Sequence, residues 1–462
     1  MSSSLNKRQH AEMIDSLFNA IHEDDGIETA VLQGVVAATL TAVLESSDED
    51  EEETQWGGSR PGKAPNKTRD FVRAYERLVS QYFQGVESIY DEGDFERRFR
   101  MPRSIFNRIA DAIFGEESFV LRQDALGKNG IHPLVRLTAC LRLLAYGTPP
   151  DSLDENLEIS ETVASDSLKE FSRIMIQKFG AQYLNRCPTT EEKNRMVRIM
   201  KRRGWPGAFA SWDCKHFEWE NCPVRLAGQT KGHADGGKKT LILEAIADAD
   251  TYIWYAFFGE VGSLNDTNIL DKSSIVGSII GGTFNVSVEP YTVNGTTRDW
   301  MYFLADGIYP DWSIYVKTFR VALTRMEEVF KLSQEATRKD VERAFGVLVK
   351  RFDYLKRPLR HWFLKDIKNI LLCCIIMHNM IIEERRHVYM AAANGLDAPL
   401  PVEDEEDEVP PNFISLFGWE NVHENILDIH EVFADRVSTI WGNVEDQEKC
   451  NNLRIDLMTQ MG

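Results

Sequence analysis

TLILEAIADADTYIWYAFFGEV, residues 240–261, holds two runs of β-branched and aromatic residues on either side of a short polar turn at 248–250. Such runs around a polar break predict a β-hairpin with strands at 240–247 and 251–261. Working outward, AFASWDC (208–214) reads as a buried strand before the hairpin, and WMYFLADG (300–307) as a fourth strand after it. Helical periodicity follows, from about 325 to 355 and again from about 366 to 386. Strands first and helices after, with a hairpin leading into a parallel pairing, predict an α/β layer fold built on a mixed sheet, here over residues 206–395.

Upstream of the sheet the texture is helical. HPLVRLTACLRLLAYG (132–147) opens with proline in its first turn, spaces Leu134, Leu137, Leu141 and Leu144 three and four apart, and closes on Gly147. Ser160 is a predicted N-cap for the next helix, in which Ala164, Leu168, Phe171 and Met175 form the apolar stripe. Three helices in this order predict a helical, helix-turn-helix-like DNA-binding domain over residues 69–205. Its candidate phosphate contacts are Lys169 and Arg173, one turn apart, and the cluster Lys201, Arg202 and Arg203 at the entrance to the sheet. A solvated helical scaffold accounts for the same residues, because Glu161, Asp166 and Glu170 offset the charge.

The ends differ from the centre. Residues 1–45 read as an amphipathic helical pair, 46–68 as an acidic linker with Gly and Pro, and 396–462 as an acidic tail with one or two short helices. The net charge of -19 belongs to these ends: residues 1–62 carry 13 acids and 3 bases, residues 397–462 carry 16 and 3, and the centre keeps 43 acids and 47 bases. A near-neutral centre can therefore bind phosphate locally, since tail charges are screened within about 8 Å at physiological salt. No apolar run reaches the roughly 20 residues of a membrane span. The seven cysteines form no CxxC pair, and the first residues lack the order of a secretory signal, so a reducing intracellular compartment is expected.

Acidic residues at the ends of apolar strands need solvent, a partner or a metal. Asp213 is expected to end the first strand and Asp306 the fourth, Glu342 lies on the helix that follows, and Asp266 sits where the third strand gives way to a helix. Hard oxygen donors without a matching His/Cys set suit Mg²⁺ or Mn²⁺, as two ions about 4 Å apart that serve in-line phosphoryl displacement. Cys214, His216 and Cys222 lack a fourth ligand at zinc-finger spacing. Ordinary structural roles compete: Asp266 as a helix N-cap, Asp213 paired with Lys215 or Lys239, and Glu342 paired with Arg338 one turn earlier. His216 is expected to cap the strand, and His378 with Asn379 to form an internally bonded polar pair in an apolar helix.

SWDCKHFEWENCP (211–223), KKTLILEAIADADTYIWYAFFGEVGSLNDTNILDKS (238–273), YTVNG (291–295) with YFLADGIYPDW (302–312), RKDVERAFGVLVKRF (338–352) and CCIIMHNMIIEE (373–384) together resemble the plant-type branch of the PIF/Harbinger transposases, over roughly residues 70–390. The resemblance implies an RNase H-like DDE catalytic domain with Asp213, Asp306 and Glu342 as catalytic and metal-binding acids and Asp266 as a further matching acid. It also implies a nuclear protein, acting on transposon-end and target DNA as a homo-oligomer, with a separate Myb-like DNA-binding protein as partner. A domesticated descendant that binds DNA or protein without cutting is the other reading.

Overall fold

The computed structural model describes residues 67–232, 236–393 and 446–461. The amphipathic pair expected in 1–45, the linker up to residue 66 and the tail from 396 to 445 lie outside the described residues. Apart from Lys67 and the stretch Asn268–Ser274, the described residues form one compact unit, in which the helical segment and the sheet share a body. No helix among the described residues is long and apolar enough to cross a membrane.

The strands are β1 (Ala208–Glu218), β2 (Thr240–Ala247), β3 (Ile253–Val261), β4 (Ser287–Val293), β5 (Thr296–Trp300), β6 (Tyr302–Leu304) and β7 (Tyr315–Val316). Five of them make a mixed sheet in the order β3-β2-β1-β6-β7. The first three form an antiparallel meander, while β6 runs parallel to β1 and β7 parallel to β6. Every residue of β2 is buried, as a continuous apolar run implies for a central strand. The β4–β5 hairpin stands apart as a two-stranded ribbon. Its turn is made by Asn294 (φ 46°) and Gly295 (φ 80°), an Asn-Gly pair that accepts positive φ at both central positions. Tyr291 of this hairpin folds against Gly207, where a Cβ would fall 2.0 Å from the Tyr291 ring. Gly207 (φ 85°) thus lets the chain turn into β1 beneath that ring.

Ahead of the sheet come α1 (Phe71–Tyr82), α2 (Glu92–Phe99), α3 (Arg103–Ile113), α4 (Pro133–Tyr146), α5 (Glu161–Tyr183) and α6 (Thr190–Arg202). The caps are those anticipated: Pro133 opens α4, Gly147 (φ 58°) closes it, and the Ser160 hydroxyl accepts from the Val163 N–H at the start of α5. Two short helices, α7 (Asp266–Lys272) and α8 (Ser274–Ile280), follow β3. Beyond the sheet are α9 (Arg325–Arg351), started by a Thr324–Glu327 capping box, α10 (Leu364–Ala393) and α11 (Gln447–Met461).

The helix α5, expected as part of a helix-turn-helix, lies along α10 and also packs on α4, which leaves only its outer face to solvent. Two fully buried polar residues of α10 tie this helical layer to the sheet. The Asn379 amide donates to the carbonyls of Tyr183 (2.9 Å) and Ile253 (2.8 Å) and accepts from the Ile253 N–H (3.0 Å). His378 accepts at Nδ1 from the Arg351 guanidinium (2.8 Å) and donates from Nε2 to the Thr251 carbonyl (2.7 Å). Because arginine can only donate, the contact fixes the neutral Nε2–H tautomer.

The stretch read as an acidic tail ends in α11, and that helix is part of the core. Leu453 and Leu457 are wholly buried with Tyr302, Val316 and Phe330, and Asp456 pairs with the buried Arg298 at 2.5 Å. Leu457→Ala is expected to cost about 2–5 kcal/mol, the range for emptying a buried leucine site. A urea midpoint unchanged by the substitution would remove α11 from the core.

Candidate active site at the end of the sheet

The parallel pairing of β1 with β6 ends at Ser211↔Leu304, while the antiparallel pairing of β1 with β2 continues to Glu218↔Thr240. Asp213 and Asp306 each stand two residues past the last parallel pair, in equivalent register. Asp213 therefore lies within β1 and not at its end, a correction to the sequence reading. The strand continues through KHFE, with Phe217 buried, because its pairing with β2 runs on to Glu218↔Thr240.

Helix α9 is stitched across this point by residues spaced three and four apart. The Gln334 side chain donates to the carbonyls of Ala305 (3.0 Å) and Val316 (2.9 Å), which fixes the end of β6 just before Asp306. The Ser211 hydroxyl donates to the Thr337 carbonyl (3.4 Å). One turn on, the Arg338 guanidinium donates to Asp213 Oδ2 at 2.8 Å and reaches Glu342 Oε1 at 3.2 Å. One cation thus bridges two of the candidate acids. The partner of Asp213 is neither Lys215 nor Lys239 but a residue 125 positions away.

The electrostatics join all four carboxylates. Burial pushes the Asp213 carboxyl up to about 6, Arg338 and the Cys214 N–H pull it down, and the charges of Asp266 and Glu342 push it further up. Burial also raises Asp266, while Cys214 and His216 pull it down and the charge of Asp306 pushes it further up. Asp306 is exposed and accepts from the Gly307 N–H at 2.7 Å, and Glu342 is exposed on α9. These acids lie within electrostatic reach of one another, yet among the described residues no three His, Cys, Asp or Glu side chains are gathered tightly enough to hold a metal ion. His216 bonds through Nδ1 to Thr240 Oγ1 at 3.0 Å, and the Cys214 sulfur lies 3.6 Å from the Tyr309 hydroxyl.

The candidate DNA contacts divide into two groups. Lys169 lies 3.3 Å from Asp166 and 3.9 Å from Asp366, Arg173 is 2.7 Å from Glu170, and Arg203 pairs with the buried Asp340 of α9. Lys201 and Arg202 are exposed in the last turn of α6. Arg203 thereby joins the end of α6 to the helix that carries Arg338 and Glu342.

A sheet end carrying four coupled acids, one shared arginine and a helix clamped across it defines an acidic site in a mixed α/β protein. Residues 181–389, which include all four acids, match the profile of a family described as plant transposon protein, and residues 75–113 match that of a domain of unknown function. Over 181–389 the chain is related to plant transposon proteins. No curated protein and no solved structure matches the chain.

Proposed function

We propose that the chain is a DDE transposase of the PIF/Harbinger kind, which cuts DNA at transposon terminal inverted repeats and joins the 3′ ends to target DNA. The observation that carries this reading is the register of Asp213 and Asp306 beside Glu342, within the stretch related to plant transposon proteins. The strand order β3-β2-β1-β6-β7, antiparallel on one side of β1 and parallel on the other, supports an RNase H-like assignment.

The donor set suits a divalent cation: Asp213, Asp266, Asp306 and Glu342 offer only carboxylate oxygens. Bound there, Mg²⁺ or Mn²⁺ would activate water and stabilise the leaving oxygen. The chain's own residues prepare the site. The Cys214 N–H and Arg338 hold the two Asp213 oxygens in fixed directions, Gln334 fixes the approach to Asp306, and Glu342 stands on an exposed turn from which it can rotate. Arg338, bound to Asp213 and Glu342, supplies a positive charge that offsets part of the repulsion between these acids and a phosphate.

The nucleus, a homo-oligomer and a Myb-like DNA-binding partner complete the proposal. Its test is cleavage of end-containing DNA in Mg²⁺, with and without that partner; no cutting in either arm overturns the nuclease reading.

DNA contact through the helical region belongs to the same proposal. Lys201→Ala with Arg202→Ala is expected to weaken binding to all sequences and to reduce the salt slope by nearly one unit per lost contact. Lys169, Arg173 and Arg203 already have carboxylate partners, so replacing them should change the slope less. An unchanged slope when all five are replaced would leave the region as scaffold and assign end recognition to the partner.

A further inference from the structure

Arg77 of α1, Arg98 of α2 and Arg142 of α4 line one cavity of about 270 Å³, together with Tyr82, Tyr90 and Thr138. No acidic side chain lines it, and none of the three guanidinium groups has a carboxylate partner among the described residues. Their neighbours do: Arg97 pairs with Asp94 and Arg103 with Glu92. The three cations are held by neutral groups. Arg142 donates to the Tyr82 hydroxyl (3.2 Å) and to the Arg98 carbonyl (3.3 Å), the Arg98 guanidinium lies 4.1 Å from the Tyr90 ring centre, and Arg77 donates to the Asn156 carbonyl.

Like charges around one cavity repel. An oxyanion relieves that repulsion, since it accepts from the arginine forks. Planar guanidinium groups match phosphate oxygens in particular. We propose that this cavity binds a phosphate group, presented either by a DNA strand or by a free nucleotide. It uses none of the carboxylates at the sheet end, and it rests on the transposase reading only in naming DNA as a source.

The test uses the full chain in EDTA, so that no divalent cation contributes, and measures binding of inorganic pyrophosphate, dAMP and a labelled single-stranded deoxyoligonucleotide. The native protein should bind at least one probe. Arg98→Gln should weaken that binding about tenfold or more, as expected for losing a charge-assisted hydrogen bond. Arg77→Gln removes a second lining charge whose protein contact is an exposed backbone carbonyl, so it should weaken binding while leaving the melting temperature little changed. If Arg98→Gln fails to fold, Arg77→Gln decides. Binding of the oligonucleotide alone identifies a DNA strand as the source, and binding of pyrophosphate and dAMP identifies free phosphates. No binding of any probe, or native affinity in both variants, overturns the proposal. Loss of DNA cutting with phosphate binding intact counts against the transposase reading and not against this cavity.

Discussion

Asp213→Asn, Asp306→Asn and Glu342→Gln are each expected to lower the cutting of end-containing DNA by about 10²–10³-fold or more, the loss that follows removal of one group stabilising transition-state charge. An amide keeps the shape of the acid and loses the charge that holds a cation. The three variants should differ in stability. Glu342 is exposed, so Glu342→Gln should melt with the native protein, whereas Asp213→Asn removes a charge that burial disfavours, its carboxyl being pushed up to about 6, and should melt equal or higher at neutral pH. Asp306→Asn retains an acceptor for the Gly307 N–H and should fold normally. Near-native excision by any one of the three, in protein shown to be folded, would take that residue out of the catalytic set.

The largest effect on stability is expected at Asn379. Replacing it with leucine leaves the Ile253 N–H and the carbonyls of Ile253 and Tyr183 unpaired in a region sealed from water. At about 1–3 kcal/mol for each orphaned group, the loss should be on the order of 3–6 kcal/mol by urea denaturation. A loss below about 1 kcal/mol would mean that the three groups find other partners. The neighbouring His378 should produce a pH effect without mutation. Burial and Arg351 push its imidazole from 6.5 down to about 3. Between those values the unfolded chain binds a proton that the folded chain refuses. Stability from this group is therefore complete above about pH 6.5 and declines as pH falls toward 3. His378→Gln should flatten that part of the stability profile, and an unchanged slope would discount the imidazole.

What the sequence revealed follows from the range of the forces involved. The strand 240–247 was legible to the residue, because a continuous apolar run bounded by turns depends only on local pattern. The hairpin of β4 and β5 went unread: Pro290 and the charges at 298–299 hide the alternation, although Asn294 and Gly295 carry the turn signal. A short helix was expected in the acidic tail, but not its place in the core, although Cys450, Leu453 and Leu457, spaced three and four apart, mark a buried stripe. At the site, the acids themselves could be picked from strand ends, but the bridging role of Arg338 could not. Its link to Asp213 spans 125 residues, and only the packing of α9 across β1 brings the two together.

That separation has a kinetic side. The meander β1-β2-β3 pairs residues close in sequence, whereas β6 begins 84 positions after β1 ends, from Glu218 to Tyr302. Closing so long a loop carries an entropy cost that local hairpins avoid, so the parallel pairing should form late. Asp306 should join Asp213 only at that moment, whereas α9 with Arg338 packs mainly on β1 and β2 and can dock on the meander before it. A partly folded form with only the three antiparallel strands therefore lacks the assembled acidic centre.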